Sequence, residues 1–246
     1  MNHEVCSPRI VYAEEDFAVV VKLAGEICES NAENECDGFS LAWNVKPLLE
    51  KKLQKKISFC QCVHRLDRPV CGLCLVALCP DSFVWLSSLF AGGKVRKTYL
   101  AVAEKPAIPL ENKKGILSCH MVFDKRKQKA FITTGNTKGA RQAVMSYQIL
   151  GEGERYVFVQ AQPKTGRTHQ IRCQLAKIGL HIKGDVKYGA KRTEANGGIR
   201  LCAWKLAFEN PKTKKTMEFE SLPPVMDSLW KVCFDVINGY DDGKNI

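Results

Sequence analysis

No stretch of about eighteen apolar residues, the length needed to cross a bilayer as a helix, occurs in this chain of 246 residues; the longest apolar run, Val70 to Leu78, is strand-sized and holds glycine and cysteine. The sequence therefore offers no membrane span. The first fifteen residues also lack an apolar secretory core, and Glu4, Glu14 and Glu15 interrupt the acid-free pattern of an organellar presequence. Cytoplasmic residence is the simplest expectation. Internal repeats, low-complexity tracts and linker-like stretches are missing too, which argues against solenoid architectures and extended disorder. A chain of this length buries one substantial core and leaves little room for a second full domain, so a single domain of one or two lobes is expected.

Acidic residues are the scarcer charge, 26 against 37 lysines and arginines, for a formal net charge of +11. That balance favours a polyanionic partner, nucleic acid first, over an acidic-substrate or neutral one, although charge also serves solubility and decides nothing alone. Hydrophobic residues at 45% and charged residues at 26% are the values of a folded chain.

Cysteine is plentiful, with twelve residues. In a short secreted chain that number would signal disulfides, and in a cytosolic one it raises zinc. The tightest spacing, Cys71-x-x-Cys74, falls within an apolar strand, where alternation points the two side chains to opposite faces. Buried thiols acting as small hydrophobes are the better account, and no metal is expected.

Runs rich in Val and Ile at Arg9 to Tyr12 and Phe17 to Leu23, separated by Glu14-Glu15-Asp16, read as strand, turn, strand. Ser40 is a candidate cap for a helix toward Gln54, bent or divided at Pro47, with lysines at its negative end. The run from Val70 to Cys79 predicts a strand buried on both faces near the centre of a sheet. Pro80 and Asp81 open a helix over Ser82 to Phe90, closed by Gly92-Gly93. Strands follow at Val95 to Ala103, Ile116 to Phe123, Ala143 to Leu150, Tyr156 to Gln162, Leu201 to Phe208 and Thr216 to Phe219. A helix is expected from Thr165 or Gly166 to Ile178, with Arg172 at the edge of its apolar stripe, and a last one from Val225 to Val236, leaving 238–246 as a flexible tail. Many strands with few helices read as α+β with a mostly antiparallel sheet.

Four segments carry candidate chemistry. His64-Arg65-Leu66-Asp67 stands directly before the buried strand, so a rigid element presents Asp67. Lys97-Thr98-Tyr99 lies on a strand. Thr165 to Arg172 sets Arg167, His169, Gln170 and Arg172 around a helix entry, where cations oppose the helix dipole and an anion is invited. Gly184-Asp185-x-x-Tyr188-Gly189 passes alone as a turn.

In this order and combination, from roughly Ile10 to Glu220, these segments closely resemble the RluA family of RNA pseudouridine synthases. The resemblance implies a central mixed, mainly antiparallel sheet with flanking helices and an active-site cleft. It implies an isomerase that acts on uridines of ribosomal or transfer RNA without cofactor. It also implies Asp67 as nucleophile, Tyr99 as active-site tyrosine, Arg172 as the cation paired with the aspartate, and Arg65 filling the place of a flipped base. His64, Lys97, Arg167, His169 and Gln170 are expected to contact RNA, with phosphates held by clusters such as Lys125-Arg126-Lys127 and Lys212, Lys214 and Lys215. Residues 1–246 then form one catalytic domain without the S4-type RNA-binding domain of many relatives, monomeric and with no obligate protein partner. The sequence departs from the family at Val70-Cys71, where Thr-Ser is usual, and at Lys22-Leu23-Ala24-Gly25, where the family has Lys-Pro-x-Gly. The first departure keeps a second reading open, a catalytically inactive RNA-binding or RNA-folding module on the same scaffold.

Overall fold

The computed structural model describes residues 9–28, 38 and 40–241. Residues 1–8, used in the leader reading, and 242–246 of the expected tail lie outside the described residues. In chain order the elements are β1 (Ile10–Ala13), β2 (Phe17–Lys22), α1 (Leu41–Leu53), β3 (Gln61–Cys62), β4 (Cys71–Ala77), α2 (Pro80–Ala91), β5 (Arg96–Glu104), β6 (Lys114–Asp124), β7 (Lys129–Thr133), β8 (Arg141–Glu152), β9 (Tyr156–Pro163), α3 (Gln170–Lys177), β10 (Leu201–Glu209), β11 (Thr216–Glu220) and α4 (Ser228–Asp241). The α+β class expected from the sequence is borne out. The chain divides into two compact units, Met1–Lys97 with Cys202–Met226 and Thr98–Leu201 with Asp227–Ile246.

In the first unit β4 is the centre, antiparallel to β2 and β3 and parallel to β10, which in turn pairs antiparallel with β11. All seven residues of β4 are buried, as an unbroken apolar run requires of a strand covered on both faces. The parallel pairing demands glycine at 72, where φ is +110° and a Cβ would lie 2.3 Å from the Ala203 carbonyl oxygen. Phe17, Leu73, Leu75, Leu86, Leu89, Leu206 and Phe208 form the core beneath α2, each burial contributing roughly 1.5–3 kcal/mol.

Helix α1 starts where Ser40 predicts, its hydroxyl accepting a hydrogen bond from Trp43 N. Pro47 does not divide it. Proline removes the hydrogen bond to the carbonyl of Trp43, but that residue is exposed and its oxygen can turn to water, while Leu41, Val45 and Leu49 hold one continuous apolar face.

The second unit is an antiparallel sheet in the order β5-β9-β8-β6-β7. Strand β7, not among the strands expected from the sequence, pairs with β6 through a turn that Asp124 closes by accepting from Arg126 N and Lys127 N. Helix α3 begins at Gln170, not at Thr165 or Gly166, because His169 holds φ +57°, a left-handed conformation that ends rather than continues a helix. Helix α4 lies against β8, where a bulge between Ile149 and Gly151 places the glycine under Val236; a Cβ there would meet the valine at 2.4 Å. This helix runs through Asp241, so residues 238–241 of the expected tail are helical.

Candidate active site

In the first unit, the loop that carries Asp67 is held from below by a lysine. Lys22 ends β2 with none of its surface exposed, and its ammonium donates to the carbonyl oxygens of Leu23, Asp67, Arg68 and Val70 at 2.7–3.2 Å. Burial lowers its pKa, partly countered by attraction to nearby cysteine sulfurs and Glu26. Gly25 N donates to Arg68 O and Arg68 Nε to Gly25 O, which ties the turn after β2 to the turn after Asp67. Glu26, buried, closes the bundle by accepting from both terminal guanidinium nitrogens of Arg9, from Leu23 N and from Asn44. The Lys22-Leu23-Ala24-Gly25 turn, legible in the sequence only as a structural departure, thus positions the residue of greatest chemical interest.

His64 sits inside this framework. Its Nε2 accepts from Leu75 N at 3.0 Å and its ring stacks on Phe90 with centroids 4.4 Å apart. Desolvation pushes its pKa down to about 4, so the ring is neutral at physiological pH and serves the loop as a strut. Arg65 is exposed, Asp67 half-buried. Lys97 lies over the Phe90 ring at 6.0 Å, and burial lowers its pKa.

In the second unit Tyr99 is 9% exposed on β5, opposite Ala161 of β9. Its neighbour Thr98 accepts a hydrogen bond from Gln162. Arg172, 5% exposed, forms a two-pronged ion pair with Asp185, Nε to Oδ2 at 2.6 Å and Nη2 to Oδ1 at 2.8 Å. The family resemblance gives Arg172 the partner Asp67; the two-pronged pair within its own unit is with Asp185, which was not legible because Gly184-Asp185 reads as a turn. The guanidinium also lies 5.0 Å from the Tyr188 ring, whose hydroxyl accepts from Ala130 N and meets His169 Nδ1 at 2.9 Å. The fourth motif is therefore a buried bracket for the third.

Gln170 uses its whole amide inside the protein: its Oε1 accepts from the Thr165 hydroxyl and Arg167 N, and its Nε2 donates to Val144 O. Arg167 is exposed and lies in the loop before α3, with Nε donating to Gln142 O, so it is not a helix-terminal cation. Among the basic clusters Lys183 is ion-paired with Glu194 and Lys212 with Asp16, while Lys125, Arg126 and Lys127 are exposed. Lys114, Ile116, Ser146, Tyr147, Gln148 and Gln162 are among the residues that line a groove of about 290 Å³ on the second unit's sheet. No described helix is long and apolar enough to cross a membrane.

The first unit presents the half-buried Asp67 from a loop, and the second carries buried Tyr99 on β5 and buried Arg172 on α3. Residues 16–177 match the model of the family described as RNA pseudouridylate synthase. The chain is 34% identical over 196 residues to tRNA pseudouridine synthase C of Haemophilus ducreyi, covering 70% of this chain and 75% of that one. It is 31% identical over 168 residues to the RNA pseudouridine synthase YlyB of Bacillus subtilis, covering 68% of this chain and 54% of the relative, so it spans about half of that protein's length. The solved structure of human RNA pseudouridylate synthase domain containing 4 shares the fold, with a TM-score of 0.69, 20% identity and coverage of 93% and 92% of the two chains. The chain belongs to the RNA pseudouridylate synthase family of isomerases.

Proposed function

We propose that this chain converts specific uridines of a structured ribosomal or transfer RNA to pseudouridine, with Asp67 as nucleophile. The observation that carries the reading is the rigid mounting of the Asp67 loop by Lys22 in a chain of this family. The reaction breaks the glycosidic bond, turns the bound uracil and joins its carbon 5 to the sugar. No net electrons move, so the reading calls for no redox cofactor.

An ionised carboxylate of Asp67 attacks either the anomeric carbon or the base. Arg172 is the proposed counter-charge to it, and Asp185 the group that orients Arg172 through the two-pronged pair. Tyr99 stacks on the uracil and takes or relays a proton from the sugar. The target nucleotide leaves its stack at a cost of a few kcal/mol, part of which Arg65 offsets by filling the gap. Lys97 and Arg167 hold phosphates, while His64 serves RNA binding by fixing the loop that carries Arg65, and His169 and Gln170 by fixing the segment that carries Arg167. We take the chain to act as one catalytic domain, as a monomer, in the cytoplasm.

The test is to map pseudouridines across cellular RNA with and without this protein, then to restore the missing ones with the purified chain. At least one ribosomal or transfer RNA uridine should depend on it. RNA binding with no site lost or restored would overturn the proposal in favour of the inactive RNA-binding module.

A further inference from the structure

Three cysteines distant in sequence meet in the first unit. Cys28 follows the turn after β2, Cys62 ends β3 and Cys74 lies in the middle of β4; their sulfur atoms all lie within 4.8 Å of one another, with Cys28 and Cys74 at 3.9 Å. No disulfide links them, and Cys28 and Cys74 are buried while Cys62 is half-buried.

The spacing has a chemical meaning. Sulfurs bonded to a common zinc ion at about 2.3 Å stand roughly 3.8–4.0 Å apart in tetrahedral or trigonal arrangement, close to the 3.9 Å found here. At Cys28 the backbone also suits anionic sulfur, Leu66 N donating to its Sγ at 3.3 Å. The ammonium of the buried Lys22 is one on which Cys28 and Cys74 act electrostatically, opposing the fall in its pKa that burial causes. Three thiolates and one divalent cation carry a net charge of about −1, which that ammonium balances. The described His, Cys, Asp and Glu residues supply no fourth ligand to the group, so the remaining coordination position falls to water on the half-exposed Cys62 side.

We infer that Cys28, Cys62 and Cys74 form a three-thiolate site for a thiophilic d10 divalent cation, zinc in the first place. The site is one of structure, not of the isomerisation itself. It grips the Asp67 loop from beneath through the Leu66 N to Cys28 Sγ bond. It is not the Cys71-x-x-Cys74 pair that sequence spacing suggests, since only one member of that pair takes part.

The experiment titrates the reduced, metal-free chain with zinc against a chromophoric competing chelator. One ion per chain is expected, with affinity weakened at least a hundredfold in Cys62→Ser and unchanged in Cys119→Ser, whose residue lies on β6. Cadmium should give a thiolate-to-metal charge-transfer band that Cys62→Ser diminishes. In the wild-type chain zinc should also protect Cys28, Cys62 and Cys74 from alkylation, mapped by mass spectrometry, which needs no variant to fold. Failure of the chain to compete for zinc, or protection of other cysteines in place of these three, overturns the assignment; neither result bears on RNA isomerisation.

Discussion

The ammonium of Lys22, fully buried, lies 3.2 Å from the main-chain oxygen of Asp67 and reaches three further carbonyls of the turns around it. A strand residue thereby fixes the backbone of a loop 45 positions later in the sequence. Replacing it by methionine roughly keeps the volume and removes the charged donor from all four oxygens, of which those of Leu23, Asp67 and Arg68 keep a backbone donor. Lys22→Met should lose roughly 2–3 kcal/mol of stability, the range for buried hydrogen bonds to a charged group. That corresponds to about 4–12 °C in Tm for a chain of this size. Thermal melting measures the first effect. A fall in kcat larger than any rise in KM, measured well below the melting range, reports displacement of the Asp67 loop.

Arg172 and Asp185 permit a separation of fold from chemistry. Arg172→Met leaves a buried carboxylate without its partner and should cost about 3–5 kcal/mol. Adding Asp185→Leu removes the stranded charge and should recover most of that stability, because an apolar pair can replace a buried ion pair at little cost. Pseudouridine formation should stay absent in the double variant. Recovery of activity together with stability would show that Arg172 serves only the fold.

Gly72 is a steric requirement. Gly72→Ala would drive a Cβ against the Ala203 backbone at 2.3 Å in a φ +110° conformation, whereas Gly93, at φ +66°, has no atom within 4 Å of that position. Gly93→Ala should cost about 1–2 kcal/mol from backbone strain alone, and Gly72→Ala should go well beyond it by forcing β4 and β10 apart. Denaturant titration of the two variants, side by side, checks the difference.

Arg65 is exposed, so Arg65→Ala should leave stability within about 0.5 kcal/mol of wild type. If its guanidinium fills the gap left by the extruded base, turnover should fall by about tenfold, equivalent to roughly 1.4 kcal/mol. Melting and single-turnover kinetics on the same preparation separate the two effects.

Much of the scaffold was legible because local signals and tertiary packing agree. Ser40 does cap α1, the apolar run around Leu75 does form a fully buried strand, and Pro80 with Gly92 does bracket α2. The start of α3 was missed because only the fold reveals that His169 takes a left-handed φ; nothing in Thr165-Gly166-Arg167-Thr168 forbids a helix. Strand β7 escaped because lysines flank a short apolar core of Ala130-Phe131-Ile132, which gains strand character only by pairing with β6. At the site, the motif residues were visible and their supports were not. A lysine at the end of a strand reads as solvent-facing, an aspartate after glycine reads as a turn, and three cysteines 34 and 12 positions apart, which meet in space, carry no spacing signal at all.

The most direct test of the central claim is tritium release from RNA labelled at uracil carbon 5, comparing the wild-type chain with Asp67→Asn. The side chain there is half-buried and the variant keeps its shape, so folding and RNA affinity should be preserved. Wild-type protein is predicted to release tritium to water and Asp67→Asn to release none above background; release by the variant at the wild-type rate would contradict the assignment of Asp67 as nucleophile.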